Sequence, residues 1–285
     1  WIKEAAEQGH IEAQTQLGQL YQLGHGTIKN AVLAAEWYKK ANKKGSITAA
    51  THLAILYLTS QGVANNDTEA FNLLKHSAEQ GLSLAHYHLA KLYFDGRGTE
   101  KDHKKSLYWF SVAAEKNFAP ALHQLAHQHE NGLGTAIDTK KSLHLYEQAA
   151  KKNHTKSQLH LGNIYETGIV APQNIDRALF WYKKANIPSN PIAKRGIKRI
   201  NLKKSKMQSI SKCEQLYDLK MIDFAIKACT SIVLKHNDDK AQYVLGKIFL
   251  SKALKSKTTS NFKKAYYWFN KSAQQNNPDA QMLLA

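Results

Sequence analysis

Apolar residues recur along this 285-residue chain at three- and four-residue steps, the spacing of a buried stripe on an α-helix, and the pattern repeats every 36 residues. One column reads Trp1, Trp37, Leu73, Trp109, Leu145 and Trp181, and another Ala13, Ala49, Ala85, Ala121, Ser157 and Ala193. A third reads Leu17, Leu53, Leu89, Leu125, Leu161 and Ile197, beside an aromatic column of Tyr21, Tyr57, Tyr93, His129 and Tyr165. Each period predicts two helices. The first carries Ala13, Leu17, Leu20 and Tyr21 and stops at Gly24-His25-Gly26, a glycine doublet that returns at Gly96/Gly98 and Gly132/Gly134. Glycine adopts the left-handed conformation beyond a helix end without steric penalty. Asn30, Asn66, Asp102, Asp138 and Asn174 stand where a side-chain oxygen caps the second helix, which ends near Gly9, Gly45, Gly81, Asn117 and Asn153. No hairpin of this kind buries its stripe alone, so the units must stack. The expected fold class is all-α, a right-handed α/α superhelical solenoid of helix-turn-helix repeats.

Ala5-Ala6-Glu7-Gln8-Gly9-His10, then Leu17-Gly18-x-Leu20-Tyr21-x-x-Gly24-x-Gly26, resembles the Sel1-like repeat, a relative of the tetratricopeptide repeat with a longer unit. The likeness runs over residues 1–200 and returns over 241–285 at Ala241, Leu245-Gly246, Ala265, Trp268 and Ala280. Leu245 to Trp268 spans more residues than Leu17 to Trp37, and that loop lacks its glycines. The resemblance implies a scaffold for multiprotein complexes, with the first helix of each pair lining the concave side. Its known contexts include proteins with which intracellular pathogens enter host cells and regulators of peptidoglycan-processing enzymes, often in a bacterial cell envelope.

The columns vanish between 200 and 240. Residues 201–211 read as a Lys- and Ser-rich linker or frayed helix end, with a domain boundary near 205. Beyond it, two short amphipathic stripes flank a turn at Lys220-Met221 and predict a divergent tetratricopeptide-like hairpin within 201–240. Cys213 and Cys229 are equidistant from that turn, so the hairpin sets them side by side, either as a disulfide or as two buried thiols. A disulfide would imply an oxidising compartment such as a bacterial periplasm. The expected location is therefore periplasmic or secreted, with the cytoplasm as the alternative. Trp1 opens inside one predicted helix and Gln281–Ala285 closes inside another, as in a fragment or a processed product.

On the first helices, positions 12, 15, 16, 19 and 23 and their 36-residue equivalents are expected to point away from the packed stripe. They vary more from unit to unit than packing requires. The expected partner-binding groove holds His52, Ile55, Tyr87, His88, Lys91, His123, His127 and His160, apolar groups within a polar rim.

Formal charge is +18, from 40 Lys and Arg against 22 Asp and Glu. Its densest stretch, the expected basic patch, is Lys194, Arg195, Lys198, Arg199, Lys203, Lys204 and Lys206, which could steer an acidic protein, a glycan or nucleic acid. No aromatic residues alternate with these cations to stack bases, which argues against nucleic acid. His123, His127 and Glu130 fall on one helical face and define a third function class, a metal-assisted hydrolase, but the run lacks the His-Glu-x-x-His order. Ser209-Ile210-Ser211-Lys212 has Ser-x-x-Lys spacing without the Ser-Asp-Asn and Lys-Thr-Gly partners of penicillin-recognising enzymes. No phosphate-binding loop is present, and no apolar run approaches the ~18–20 residues of a membrane span. The sequence reading is a non-enzymatic adaptor without cofactor that binds another protein, acidic or peptide-like, such as a peptidoglycan-processing enzyme or a host-interaction factor. The second class is a binder of anionic polymers.

Overall fold

A computed structural model describes residues 1–187 and 189–285. These residues form sixteen helices and no strand. In chain order the helices are α1 (Ile2–Glu7), α2 (Ile11–Leu23), α3 (Ala31–Lys43), α4 (Ile47–Thr59), α5 (Asp67–Glu79), α6 (Ser83–Asp95), α7 (His103–Glu115) and α8 (Ala119–Asn131). Then follow α9 (Thr139–Lys151), α10 (Thr155–Thr167), α11 (Ile175–Ala185), α12 (Pro191–Asp218), α13 (Ile222–His236), α14 (Asp239–Ser256), α15 (Thr259–Ala273) and α16 (Pro278–Leu284). The chain divides into two compact units, Trp1–Lys194 and Arg195–Ala285.

In the first unit the repeat is realised residue by residue. Asn30, Asn66, Asp102, Asp138 and Asn174 each accept the amide N–H three residues on, at 2.9–3.1 Å. Asn30, Asp102, Asp138 and Asn174 also donate their own amides to the carbonyls of Tyr21, Tyr93, His129 and Tyr165 at 2.8 Å, closing the inter-helix loop. A cap of this kind stabilises a helix by about 1 kcal/mol. Ala49, Ala85, Ala121, Ser157 and Ala193 are fully buried, so neighbouring helices approach with almost no side chain between them. Larger residues fill the space inside each hairpin: Tyr38, Leu74, Phe110, Tyr146 and Tyr182 sit at one column, all buried. Wherever that column is Tyr, its hydroxyl donates across the hairpin, to Gln22 at 2.7 Å, Glu130 at 2.7 Å or Glu166 at 2.9 Å. Wherever it is Leu74 or Phe110, the opposite residue is Leu58 or Phe94. A buried polar group is kept only with its partner, and the pair changes together.

Units are joined by a second set of buried bonds. Gln14, His86 and Gln158 donate to the carbonyls of Ala6, Ala78 and Ala150, each on the second helix of the preceding unit, at 2.9–3.1 Å. α2 also meets α4, and α4 meets α6, while among the described residues no two successive second helices meet as extensively. The first-helix side is therefore the inner side of this part of the stack.

The second unit contains most of the sequence that the repeat left unassigned. Residues 201–211, expected as a linker or frayed end, lie inside the continuous helix α12, and the division between units falls at 194/195, ahead of 205. Asn190 caps this helix through Ile192 and Ala193, Pro191 opens it, and no Pro or Gly interrupts it after Gly196. The Lys, Met, Gln and Leu that follow are good helix formers. Lys220, at φ 61°, makes the expected turn into α13, and Cys213 and Cys229 are joined by a disulfide across it, with Cα atoms 5.3 Å apart. The bond lies in a core with Ala225, Ile232, Leu245 and Ile248. α14 is longer than the other first helices, and Lys257, at φ 51°, ends it at the left-handed position that glycine fills after α2, α6, α8 and α10 and Ser60 after α4.

Candidate functional site

The eight expected groove residues all lie on α4, α6, α8 and α10, but they do not share one environment. Ile55, His88 and Lys91 come together. With Leu58, Leu92, Asp95 and Arg97 they line a cavity of about 90 Å³ between α4 and α6. Its floor is aliphatic, from Ile55, Leu58 and Leu92, and Lys91 and Asp95 stand exposed at its edge. Arg97 fixes one side: its guanidinium bonds both Asp67 oxygens, at 2.6 and 3.0 Å, and donates to the Leu58 carbonyl at 3.1 Å. Burial pushes the His88 imidazole down to about 4, so it is neutral at pH 7. His52 is lowered by burial as well; it stacks on Tyr38 at 5.3 Å and accepts from Gln19 at 3.1 Å. The charges at this cavity are thus those of Lys91, Asp95 and the Asp67-paired Arg97, not of histidine.

A second, shallower cavity of about 320 Å³ lies one unit earlier, where Gln16, Gln19 and Thr48 face each other across α2 and α4.

Position 15 corrects the sequence reading. It was expected to face the groove, yet Thr15 and Thr51 are buried and Tyr87 and His123 half-buried. The reason is local: this side chain meets the residue that starts the first helix of the next unit. Thr15 bonds the Ser46 hydroxyl at 3.0 Å, Tyr87 packs edge-on against Phe118 at 5.4 Å, and His123 lies 5.0 Å from His154. Tyr87 and His123 are therefore joint residues that keep one edge towards solvent.

His123, His127 and Glu130 are not assembled as a metal-binding face. His123 Nδ1 lies 2.9 Å from the Ser157 hydroxyl, while Glu130 accepts from Tyr146 at 2.7 Å and pairs with His160 at 3.0 Å. The hydrogen bond from His160 holds the Glu130 carboxyl below its ordinary range. His127 packs beside Phe94, and His129 is buried as a core ring. Among the described residues, no three His, Cys, Asp or Glu side chains are grouped so as to hold a metal ion.

The seven cations of the basic patch all lie on α12, five of them exposed and Lys204 and Lys206 half-buried. Lys206 is committed to Asp238, at 2.6 Å; that buried carboxylate caps α14 through Ala241. No described helix is long and apolar enough to cross a membrane.

Sequence reasoning missed Leu58, Leu92, Asp95 and Arg97. One signal was available: Leu58 stands in a column that is Gln22, Glu130 and Glu166 in three other units and Phe94 in the fourth, so an apolar residue replaces a polar one there.

Stacked helical hairpins with small-residue joints and an inner wall of variable residues define an α/α repeat protein of the solenoid class. The chain belongs to the Sel1 repeat family, whose repeat matches residues 11–46, 47–82, 83–118, 119–154, 155–186 and 239–277. Proteins of this family are generally protein–protein interaction scaffolds. Among solved structures, a Sel1 repeat protein from Oxalobacter formigenes is 32% identical over 66% of this chain and 77% of its own, with a TM-score of 0.57. The protective antigen c5321 of uropathogenic Escherichia coli, which displays the same fold, is 26% identical over 99% of this chain and 65% of its own, with a TM-score of 0.59. A Sel1 repeat protein from Klebsiella pneumoniae, 18% identical over 70% of this chain and 97% of its own (TM-score 0.50), shares the fold. No functionally curated protein matches the chain.

Proposed function

We propose that this protein is a non-enzymatic adaptor whose first-helix wall binds a partner protein, with an aliphatic side chain of the partner seated among Ile55, Leu58 and Leu92. The observation that carries this reading is the cavity itself: an aliphatic floor on the inner wall, beside an uncharged His88 and with one cation and one carboxylate at the edge. An apolar anchor ringed by polar groups is the usual composition of an interface centre. The compartment we favour is the periplasm or the exterior of a bacterial cell. The Cys213–Cys229 disulfide supports this, because such bonds persist where the surroundings are oxidising. The description of the Escherichia coli relative as a protective antigen agrees with it. Partners suited to that setting are a peptidoglycan-processing enzyme or a host factor.

The test is capture from native extract followed by titration of the recovered partner against variants. Ile55→Asp should weaken binding by more than about tenfold, a difference of about 1.4 kcal/mol. Val32→Asp, on an exposed apolar position of the outer helix α3, should leave it unchanged. Equal affinity of the wild type and Ile55→Asp would refute the groove.

A second reading, binding of an anionic polymer, is favoured by the distribution of charge. Residues 195–285 carry 18 Lys and Arg against 6 Asp and Glu, so a net +12 of the chain's +18 lies in its last third. Binding of that kind weakens log-linearly and steeply with salt, whereas a groove-seated partner keeps most of its affinity.

A further inference from the structure

The joint between repeats 119–154 and 155–186 is chemically unlike the others. At the first joint the paired residues are Thr15 and Ser46, and at the third Tyr87 and Phe118; neither pair titrates near neutral pH. At this joint the pair is His123 on α8 and His154 at the start of α10, and both imidazoles use one hydroxyl. Ser157 Oγ is buried and lies 2.9 Å from His123 Nδ1 and 2.9 Å from His154 Nδ1. His154 Nδ1 also accepts the Ser157 amide N–H at 3.4 Å, so this imidazole serves as the N-cap of α10.

That arrangement requires a particular protonation state. A cap accepts, so His154 Nδ1 carries no proton there. The Ser157 hydroxyl then donates to His154 and accepts from the Nδ1–H of His123. Protonating His154 removes the cap and puts a cation at the helix N-terminus, where the peptide dipoles already present positive charge. Protonating His123 keeps its bond to Ser157 but places a charge among His154, His160 and Lys156 of α10 and His127 of its own helix. Glu130 of α8 joins the same cluster, but its carboxylate is already hydrogen-bonded to His160 and to Tyr146 of α9.

We propose that this joint is an acid-sensitive hinge, in which neutral His123 and His154 clasp Ser157 and hold two repeats together, and their protonation releases the clasp. Burial pushes His123 down to about 3 and lowers His154 as well, with their cationic neighbours acting in the same direction. An exposed imidazole takes up its proton near pH 6.5. Between those values the opened joint binds more protons than the closed one, so opening is favoured as pH falls from 6.5 and unaffected above it. At pH 5 the linkage from His123 alone favours opening by up to about thirtyfold. The inference does not depend on the groove having a partner.

The experiment is hydrogen exchange of the α10 amides in the intact chain, at pH 7.5 and pH 5.0. The wild type is compared at each pH with the double variant His123→Thr/His154→Ser, which installs the pair of the first joint. Protection of the two proteins should be similar at pH 7.5, and at pH 5.0 the wild type should open at least about tenfold more than the variant. A wild-type-to-variant ratio that is the same at both pH values overturns the proposal. His154→Asn, the cap residue that Asn190 supplies to α12, repeats the test if the double variant fails to fold. Imidazole titration by NMR decides independently: His123 should remain neutral below pH 5 and His154 should titrate below an exposed imidazole, and titration of both near 6.5 overturns the hinge.

Discussion

Gly26, between α2 and α3, and Gly98, two units later between α6 and α7, occupy equivalent loop positions except that Gly98 has a neighbour and Gly26 has none. Gly98, at φ +68°, lies against the first turn of α5 in the preceding unit. A Cβ there would overlap the Asp67 carbonyl oxygen and lie 2.6 Å from its carbon and 3.1 Å from Phe71 Cβ. Gly26, at φ +69°, has nothing within 4 Å of the same atom. Alanine at either site pays the left-handed backbone penalty of about 1–2 kcal/mol. At Gly98 it must also push two repeats apart, and overpacking of that kind costs about 1–3 kcal/mol more. Gly26→Ala should therefore lose about 1–2 kcal/mol and Gly98→Ala about 2–5 kcal/mol, and because the φ values agree, their difference isolates the joint. Urea unfolding at unchanged slope measures the losses. Hydrogen exchange over α5 and α6 localises them, which matters because repeat arrays need not unfold in one step. The displaced Asp67 is also the partner of Arg97, so the cavity around Ile55 should lose definition in the same variant. Equal destabilisation by the two substitutions would refute the argument that loop glycines are retained for contact between repeats.

Loss of the Cys213–Cys229 bond, by reduction or by Cys213→Ala/Cys229→Ala, should destabilise residues 195–285 by about 3 kcal/mol, as expected for a closed loop of this length. Residues 1–194 should be unmoved; calorimetry or exchange read over each unit checks this, and an equal shift in both would contradict it. Tyr146→Phe should cost about 1.5–3 kcal/mol, because it strips a donor from the Glu130 carboxylate. Tyr146→Phe with Glu130→Leu should recover most of that loss, since Leu74 with Leu58 and Phe110 with Phe94 already fill these columns, and a double-mutant cycle in urea measures the coupling. The His160 hydrogen bond holds the Glu130 carboxyl low, so its contribution is present above the ordinary carboxylate range near pH 4.3 and fades as pH falls below it. Variants lacking Glu130 should lose that part of the acid limb.

What could be read from sequence and what could not divide along a physical line. Caps, turns and small-residue columns depend on neighbours a few residues away, repeated in every unit under the same packing demand. Asn30 to Asn174 and the glycine ends could therefore be assigned from their column alone. Residues 201–211 belong to no column, and there Lys and Ser composition suggested a loop, while an Asn190–Pro191 start and the absence of breakers made a helix. Position 15 failed for a different reason. Its environment is set by the residue 31 positions later that opens the next unit, so a column read down the repeats conceals it. Read against its partner column, it becomes informative: Thr with Ser, Tyr with Phe, His with His. Three joints pair like with like; at the second, where Thr51 meets the Leu82 position, the buried hydroxyl instead donates to the Ile47 carbonyl of its own helix, so no polar group is left without a partner. The same reasoning separates wall from joint at the candidate site. Ile55 and Lys91 have no partner demanded by the stack and are free to serve a ligand, whereas Tyr87 and His123 answer first to the fold.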